Sequence, residues 1–220
     1  MTARRRSATD QGRPAPHLYL VTPPIDAPGL ATKLAAALEA ADVAAVLMRS
    51  SALDEAELVE RVRAIAPLIQ NRGAALVIEG PPASVEPAGA DGAHVSGIAA
   101  LEAALPRLKP RYIIGCGGLY SRHDAMIAGE RGADYVMFGE PGPDDRRPAF
   151  AAVIERVTWW AEVFEIPCVG WAMNFDEAAA LARAGADFVA IGETVWNWPE
   201  GPAAAVRAAA SRLSFSEPVP

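Results

Sequence analysis

Three times the sequence writes Gly-Ala-Asp and runs at once into a short apolar stretch: GADGAHVSG at 89–97, GADYVMFGE at 132–140 and GADFVAIGE at 185–193. Gly89, Gly132 and Gly185 fall where a helix should stop, because glycine takes the left-handed backbone of a helix C-terminus without a Cβ clash. Alanine fits the tight turn, aspartate closes it, and a strand begins. The triplet is thus punctuation between helix and strand, and its repetition means that the chain repeats a helix–strand unit.

The rest of the sequence extends that rhythm. Short apolar runs recur at 17–22, 43–48, 74–78, 92–96, 111–115, 134–139, 167–171 and 188–192, with alanine-rich stretches of helical spacing between many of them, such as GLATKLAAALEAAD and FDEAAALARAG. Most runs lack polar alternation, as expected of parallel strands buried on both faces. Eight evenly spaced units in 220 residues predict an α/β fold, a single-domain (β/α)8 TIM barrel. A doubly wound open sheet is the alternative, but it does not require eight even units. In a barrel the Gly-Ala-Asp turns lie on the face that carries stability, and chemistry belongs at the opposite, C-terminal ends of the strands. Four helix starts are predicted on that catalytic side, at Ser51–Asp54, Ser121–Asp124, Asn174–Glu177 and Asn197–Glu200, each a capping residue three before an acid.

The expected organisation is a disordered arm over 1–16, the barrel over 17–213 and a tail over 214–220. The arm's three consecutive arginines make too small a patch to indicate nucleic acid, and the net charge of −7 argues against it as a partner. No apolar run approaches the ~20 residues of a membrane span, and no apolar segment follows the arginines as in a secretory signal. Cys116 and Cys168 make no disulfide framework and read as buried, inert thiols, which suits a cytoplasmic protein.

The order LYLVT, an Arg after the second strand, GADGAHVSG, GADYVMFGEP, IPCVGWA and GADFVAIGETV resembles the thiamine phosphate synthase family, whose barrel also holds thiazole tautomerase relatives. The resemblance covers roughly residues 17–212. It implies a small phosphorylated heterocyclic ligand, namely a pyrimidine pyrophosphate joined to a thiazole phosphate, with Mg²⁺ as cofactor. Within it Arg49 is kept from a Gln-x-Arg-x-Lys pyrophosphate motif, with Leu47 and Ser51 in the flanking places. Glu79-Gly80 stands for an Asn-Asp pair, the Asp of which serves the metal. His94 fits the usual His of the fourth strand. The family's Ser-x-His after strand five is Gly117 and Leu119, its phosphate loop after strand six is EPGPDDRRP, its Gly-Gly turn is Ala172-Met173, and its last phosphate-loop Ser is Glu193.

The expected site follows from these positions. His94 and Glu79 are the catalytic candidates. Arg49, Gly117, Gly118, Gly139, Trp171, Ala172, Gly192 and Thr194 are the candidates for holding substrate and its phosphates, and Glu79 with Glu193 for holding Mg²⁺. Glu79, Glu140 and Glu193 at the ends of strands three, six and eight predict an acidic mouth, for a cation or for a cationic substrate. They could equally bond helix N-termini, Arg49, Arg146 or Arg147. His94 reads either as an acid/base or as a hydrogen-bonded core histidine, His17 as structural, and His123 as a surface residue beside a helix cap. The GCGG stretch at 115–118 would let backbone approach a ligand. Trp171, Trp196 and Trp198 would wall the mouth, stacking on a flat ring or plugging the site, while Trp159 and Trp160 pack a helix or a subunit contact in a homo-oligomer. Three functions stay open: a synthase-type transferase, a non-catalytic binding or regulatory barrel for a thiamine-related ligand, and a tautomerase using His94.

Overall fold

Strand β1 (His17–Pro24) pairs with both β2 (Ala45–Arg49) and β8 (Phe188–Ile191), and this closes a barrel of parallel strands in chain order through β3 (Ala75–Glu79), β4 (Gly92–Ser96), β5 (Ile113–Gly117), β6 (Tyr135–Phe138) and β7 (Cys168–Ala172). The open-sheet alternative is thereby excluded. The structure, a computed structural model, describes residues 14–50, 53–142 and 146–214. Most of the expected arm and tail, and Ser51 with them, lie outside the described residues.

The crossovers are helical: α1 (Leu30–Ala40), α2 (Glu55–Gln70), α3 (Val85–Ala88), α4 (Ile98–Leu108), α5 (Arg122–Arg131), α6 (Phe150–Val163), α7 (Phe175–Ala184), α8 (Glu193–Trp196) and α9 (Pro202–Leu213). The β3–β4 link keeps only a 3₁₀ turn and the one-turn α3, because Pro81, Pro82 and Pro87 interrupt any longer helix there. No helix among the described residues is long and apolar enough to cross a membrane.

The strands are apolar on both faces, and the two faces pack into separate cores. Tyr19, Val21, Ala45, Leu47, Val77, Tyr135, Met137, Val169 and Ala190 form one buried cluster inside the barrel. Their alternate neighbours, such as Leu18, Leu20, Val46, Met48, Leu76 and Ile78, join the helices in a larger cluster outside. This is why the strand sequences read as continuous apolar runs. Trp160 belongs to the outer core, fully buried, with its ring stacked 4.1 Å from Phe164 and its Nε1–H donating to Ile166 O at 2.7 Å.

The Gly-Ala-Asp triplets behave as punctuation. Gly89, Gly132 and Gly185 end α3, α5 and α7 in the left-handed conformation, at φ 69°, 105° and 93°. The aspartates reach further than the turn. Asp91 Oδ2 accepts the backbone N–H of Leu76, Asp134 Oδ2 that of Ile114, and Asp187 Oδ2 that of Cys168, at 2.7, 2.7 and 2.8 Å. Each aspartate before an even strand therefore satisfies an N–H at the start of the odd strand beside it.

Two of the four predicted caps form as expected. Ser121 and Asp124 make a full capping box at α5, and Asn174 accepts from Glu177 N at α7. At α2 the cap is Asp54 itself, accepting from Glu57 N at 2.9 Å. The fourth does not form: Asn197 closes α8, and α9 starts three residues beyond Trp198 on Gly201 and Pro202, where proline needs no N–H partner.

Candidate active site

A cavity of about 550 Å³ opens at the C-terminal ends of the strands. Every strand end or the loop after it contributes wall: Val21 and Thr22, Leu47 and Arg49, Glu79, His94 and Ser96, Gly118 and Leu119, Met137 with Gly139 and Glu140, Trp171 and Ala172, and Gly192 with Glu193. The glycines of the three triplets are absent from this wall, as a barrel requires. Of the residues expected from sequence, Arg49, Glu79, His94, Gly118, Gly139, Trp171, Ala172, Gly192 and Glu193 line it. Gly117 and Thr194 do not; Thr194 instead donates its hydroxyl to Met173 O.

Arg49 stands at the end of β2, its backbone N–H donating to Thr22 Oγ1 at 3.1 Å. Its guanidinium lies 3.6 Å from Glu79, and the two side chains are 47% and 42% exposed. An ion pair this wet contributes little to stability, ~0–1 kcal/mol, and yields readily to a ligand.

Beneath the mouth runs a file of four hydrogen-bonded side chains. Glu140 Oε2 meets His94 Nε2 at 3.2 Å, His94 Nδ1 meets the Tyr135 hydroxyl at 2.9 Å, and that hydroxyl meets Tyr19 Oη at 2.8 Å. Burial pushes both tyrosine hydroxyls well above their ordinary pKa, so both keep their protons. A carboxylate accepts, so Nε2 carries a hydrogen toward Glu140, while Nδ1 shares a hydrogen bond with the Tyr135 hydroxyl. Both ring nitrogens of His94 are engaged by protein. These contacts are those expected of the hydrogen-bonded core histidine of the alternative reading, at a position that also borders the cavity.

Strand β5 lies between β4, which supplies His94, and β6, which supplies Tyr135 and leads to Glu140, and its glycines make room for them. A Cβ at Gly115 would fall 1.9 Å from Tyr135 Cζ, and one at Gly117 would fall 2.1 Å from both Glu140 carboxylate oxygens. Gly118, at φ 62°, donates its N–H to Glu140 Oε1 at 2.5 Å. The GCGG stretch thus serves the side chains of Tyr135 and Glu140. Tyr19, Tyr135 and the positioning of Glu140 escape a reading by motif; the available signal was two tyrosines in the inward phase of apolar strands, one of them, Tyr135, on the strand beside the Gly-x-Gly strand. Cys116, between those glycines, is fully buried, and burial, with the Glu140 charge adding to it, pushes its thiol up to about 12. It is inert, as expected.

Other candidates sort themselves around the mouth. Arg146 and Arg156 line the cavity, and Arg156 also donates to the carbonyls of Leu119 and Tyr120. Arg147 pairs with Glu177 at 2.9 Å, and Glu177 also accepts Met173 N–H, so this pair ties the loop before α6 to the turn after β7. Trp196 donates to Val21 O at 2.6 Å and joins the wall, whereas Trp198 packs on Phe175 outside it. The acidic mouth does not form as expected: among the described residues no three His, Cys, Asp or Glu side chains come together as a metal site. Glu140 is drawn to His94 and Gly118, and Glu79 to Arg49.

The thiamine monophosphate synthase family model matches residues 18–195. The chain belongs to that family. Proteins named thiamine-phosphate synthase are similar to it: one from Rhodospirillum centenum is 40% identical over 86% of this chain and 93% of its own, and one from Hyphomonas neptunium is 37% identical over 91% and 95%. Among solved structures, a thiamine phosphate pyrophosphorylase from Pyrococcus furiosus superposes with a TM-score of 0.75 at 23% identity, covering 90% of this chain and 95% of its own. The 3-hexulose-6-phosphate synthase of Salmonella typhimurium superposes with a TM-score of 0.69 at 16% identity over 90% and 98%. These two likenesses bear on the fold alone. At the mouth this chain presents Arg49 and His94, with Glu79, Glu140 and Glu193 at the ends of β3, β6 and β8.

Proposed function

We propose that the chain is a transferase of thiamine biosynthesis that joins a pyrimidine pyrophosphate to a thiazole phosphate. The observation that carries the reading is the family match along nearly the whole barrel, together with named synthases 34–40% identical over 86–91% of the chain. In the reaction a bond forms between the two heterocycles while the pyrimidine's bond to pyrophosphate breaks, and the leaving group takes the electron pair. Arg49, half-exposed on the wall and held by a weak ion pair, is free to grip two oxygens of that leaving group at once. Arg146 and Arg156 supply further positive charge on the same wall.

The donor set suits a Mg²⁺ that is carried mainly by substrate oxygens, since this ion is commonly bound by one or two carboxylates plus phosphates. Glu79 beside Arg49 is the carboxylate for that role, with Glu193 as the second candidate on the wall. When bound, the ion would neutralise charge developing on the departing pyrophosphate. The reading includes a cytoplasmic setting, supported by two buried free thiols. A tautomerase using His94 is disfavoured by the engagement of both ring nitrogens.

The test is a coupling assay: both phosphorylated halves with Mg²⁺, read as thiamine phosphate formed. Product is expected from the wild type and should fall sharply with Arg49→Ala. A folded wild type that forms none would move the binding or regulatory barrel ahead.

A further inference from the structure

Three of the four large hydrophobic residues exposed among the described residues lie along α5, α6 and the turn that enters α5. They are Tyr120, Met126 and Val163, at 69%, 37% and 60% exposure. Arg122 joins them into one strip, since it pairs with Glu155 at 2.6 Å and sits 4.8 Å over the Trp159 ring. Met126 follows Arg122 by four residues and Val163 follows Trp159 by four, so each lies one turn further along the same face. Arg156 donates to Tyr120 O at 2.7 Å, which ties the mouth end of the strip to α6. The backbones of α5 and α6 approach less closely than those of α4 and α5 or of α6 and α7. Side chains fill the seam instead: Trp160 and Ile166 reach Gly129 across it, and Trp159 lies over them half-buried.

Charge follows a fixed order along this strip. The exposed face of α5 reads Arg122, Met126, Glu130, one residue per turn and about 12 Å from end to end. At the end away from the mouth, Glu130, Glu162 and Glu165 are exposed and make no ion pair among the described residues. A face that is positive at one end, apolar in the middle and negative at the other matches itself when turned about a two-fold axis. Two copies of α5 laid antiparallel set Arg122 of each against Glu130 of the other.

We propose that the α5–α6 face is a homodimer interface, covered by a second copy of this chain across a two-fold axis at Met126. Aromatic residues, methionine and arginine are the types enriched at such interfaces. Burial of Trp159, Met126 and Val163 holds the two copies together, and the rim charges fix their direction. The contact is independent of the reaction proposed above.

Analytical ultracentrifugation of the full chain over a micromolar concentration series tests it, against the 23.1 kDa of one chain. The wild type should sediment as a dimer. Met126→Asp and Val163→Asp, at exposed positions, should raise the dimer Kd roughly tenfold or more at unchanged Tm. Arg122→Glu and Glu130→Arg should each weaken self-association, because like charges then face each other across the axis. Mixed in equal amounts, these two variants should form a heterodimer, since every facing pair is again of opposite sign. A wild type that stays monomeric throughout the series would overturn the second copy as occupant and leave the face to another protein. A dimer untouched by both aspartate variants would overturn the face, and charge variants that stay apart when mixed would overturn the two-fold pairing.

Discussion

The carboxylate of Glu140 and the imidazole of His94 meet at 3.2 Å although β5 separates the strands they come from, and they meet only because Gly117 has no side chain. The same holds one step deeper, where the Tyr135 ring occupies the space that a Cβ at Gly115 would need. The inward polar file is therefore a property of two glycines as much as of the four residues that form it.

Alanine at position 115 should accordingly destabilise the fold. The Tyr135 ring is stiff and buried, so relief requires a backbone or ring shift that costs ~1–3 kcal/mol, the usual range for overpacking. Urea unfolding of Gly115→Ala against wild type measures it. A midpoint within error of wild type would mean that the Tyr135 ring can move aside.

The buried acids set a sign for alkaline behaviour. Cys116 is raised from its ordinary 9.0 to about 12, and Tyr19 and Tyr135 are raised above their ordinary 10.0, all chiefly by burial. In the unfolded chain these groups ionise near their ordinary values, while in the fold they hold their protons. Their contribution to stability is therefore fully present below pH 9 and is lost as pH rises, first through Cys116 and then, beyond 10, through the tyrosines. Each group gives a slope of at most ~1.4 kcal/mol per pH unit. Urea midpoints taken from pH 8 to 10.5 should fall, and Tyr19→Phe should flatten the fall above pH 10. A flat profile for the wild type would contradict the burial of these groups.

Much of the barrel was legible because its signals are local. A glycine that stops a helix and a continuous apolar run that follows report the backbone within a few residues, and Ser121 and Asn174 cap as their spacing suggests. Glu79 was placed on the wall because strand ends converge in any barrel, and Arg49 and His94 through the family resemblance. What stayed illegible depends on distance across the sheet. Nothing adjacent to Asp134 says that it accepts from Ile114, twenty residues away, and nothing near Glu140 says that it bends toward His94 rather than toward Glu79 and Glu193. Asn197 failed for a related reason: Gly201-Pro202 offered a better start one turn later.

The triplet aspartates supply a prediction on stability alone. Removing the carboxylate at Asp187 takes away the hydrogen bond it accepts from Cys168 N–H, inside a buried strand. A hydrogen bond to a charged acceptor of this kind contributes ~1.5–3 kcal/mol. Asp187→Ala should lower the melting temperature, while the KM values of the remaining folded enzyme stay unchanged, because position 187 lies at the opposite end of β8 from the cavity. A change in KM with no loss of stability would reverse this assignment.

The last prediction separates the two roles open to Glu79. As a partner for Arg49 it sits in an exposed pair 3.6 Å apart, and such a pair contributes ~0–1 kcal/mol, so Glu79→Gln should melt within a few degrees of wild type. As a ligand for Mg²⁺ carried in on pyrophosphate, the same carboxylate would matter to the metal far more than to the fold. Glutamine keeps the shape and one oxygen but gives up the charge that a hard cation favours. The coupling rate of Glu79→Gln should then need several-fold more Mg²⁺ to reach half its maximum, and high Mg²⁺ should recover part of the lost rate. Arg49→Ala should behave otherwise, weakening pyrophosphate by ~1.5–3 kcal/mol, the range for charge-assisted hydrogen bonds, with no recovery from added metal. Rates measured across a Mg²⁺ series for wild type and both variants distinguish these patterns. If Glu79→Gln shows the wild-type Mg²⁺ dependence, Glu79 is only a partner for arginine, and Glu193→Gln, taken through the same series, tests the remaining carboxylate candidate.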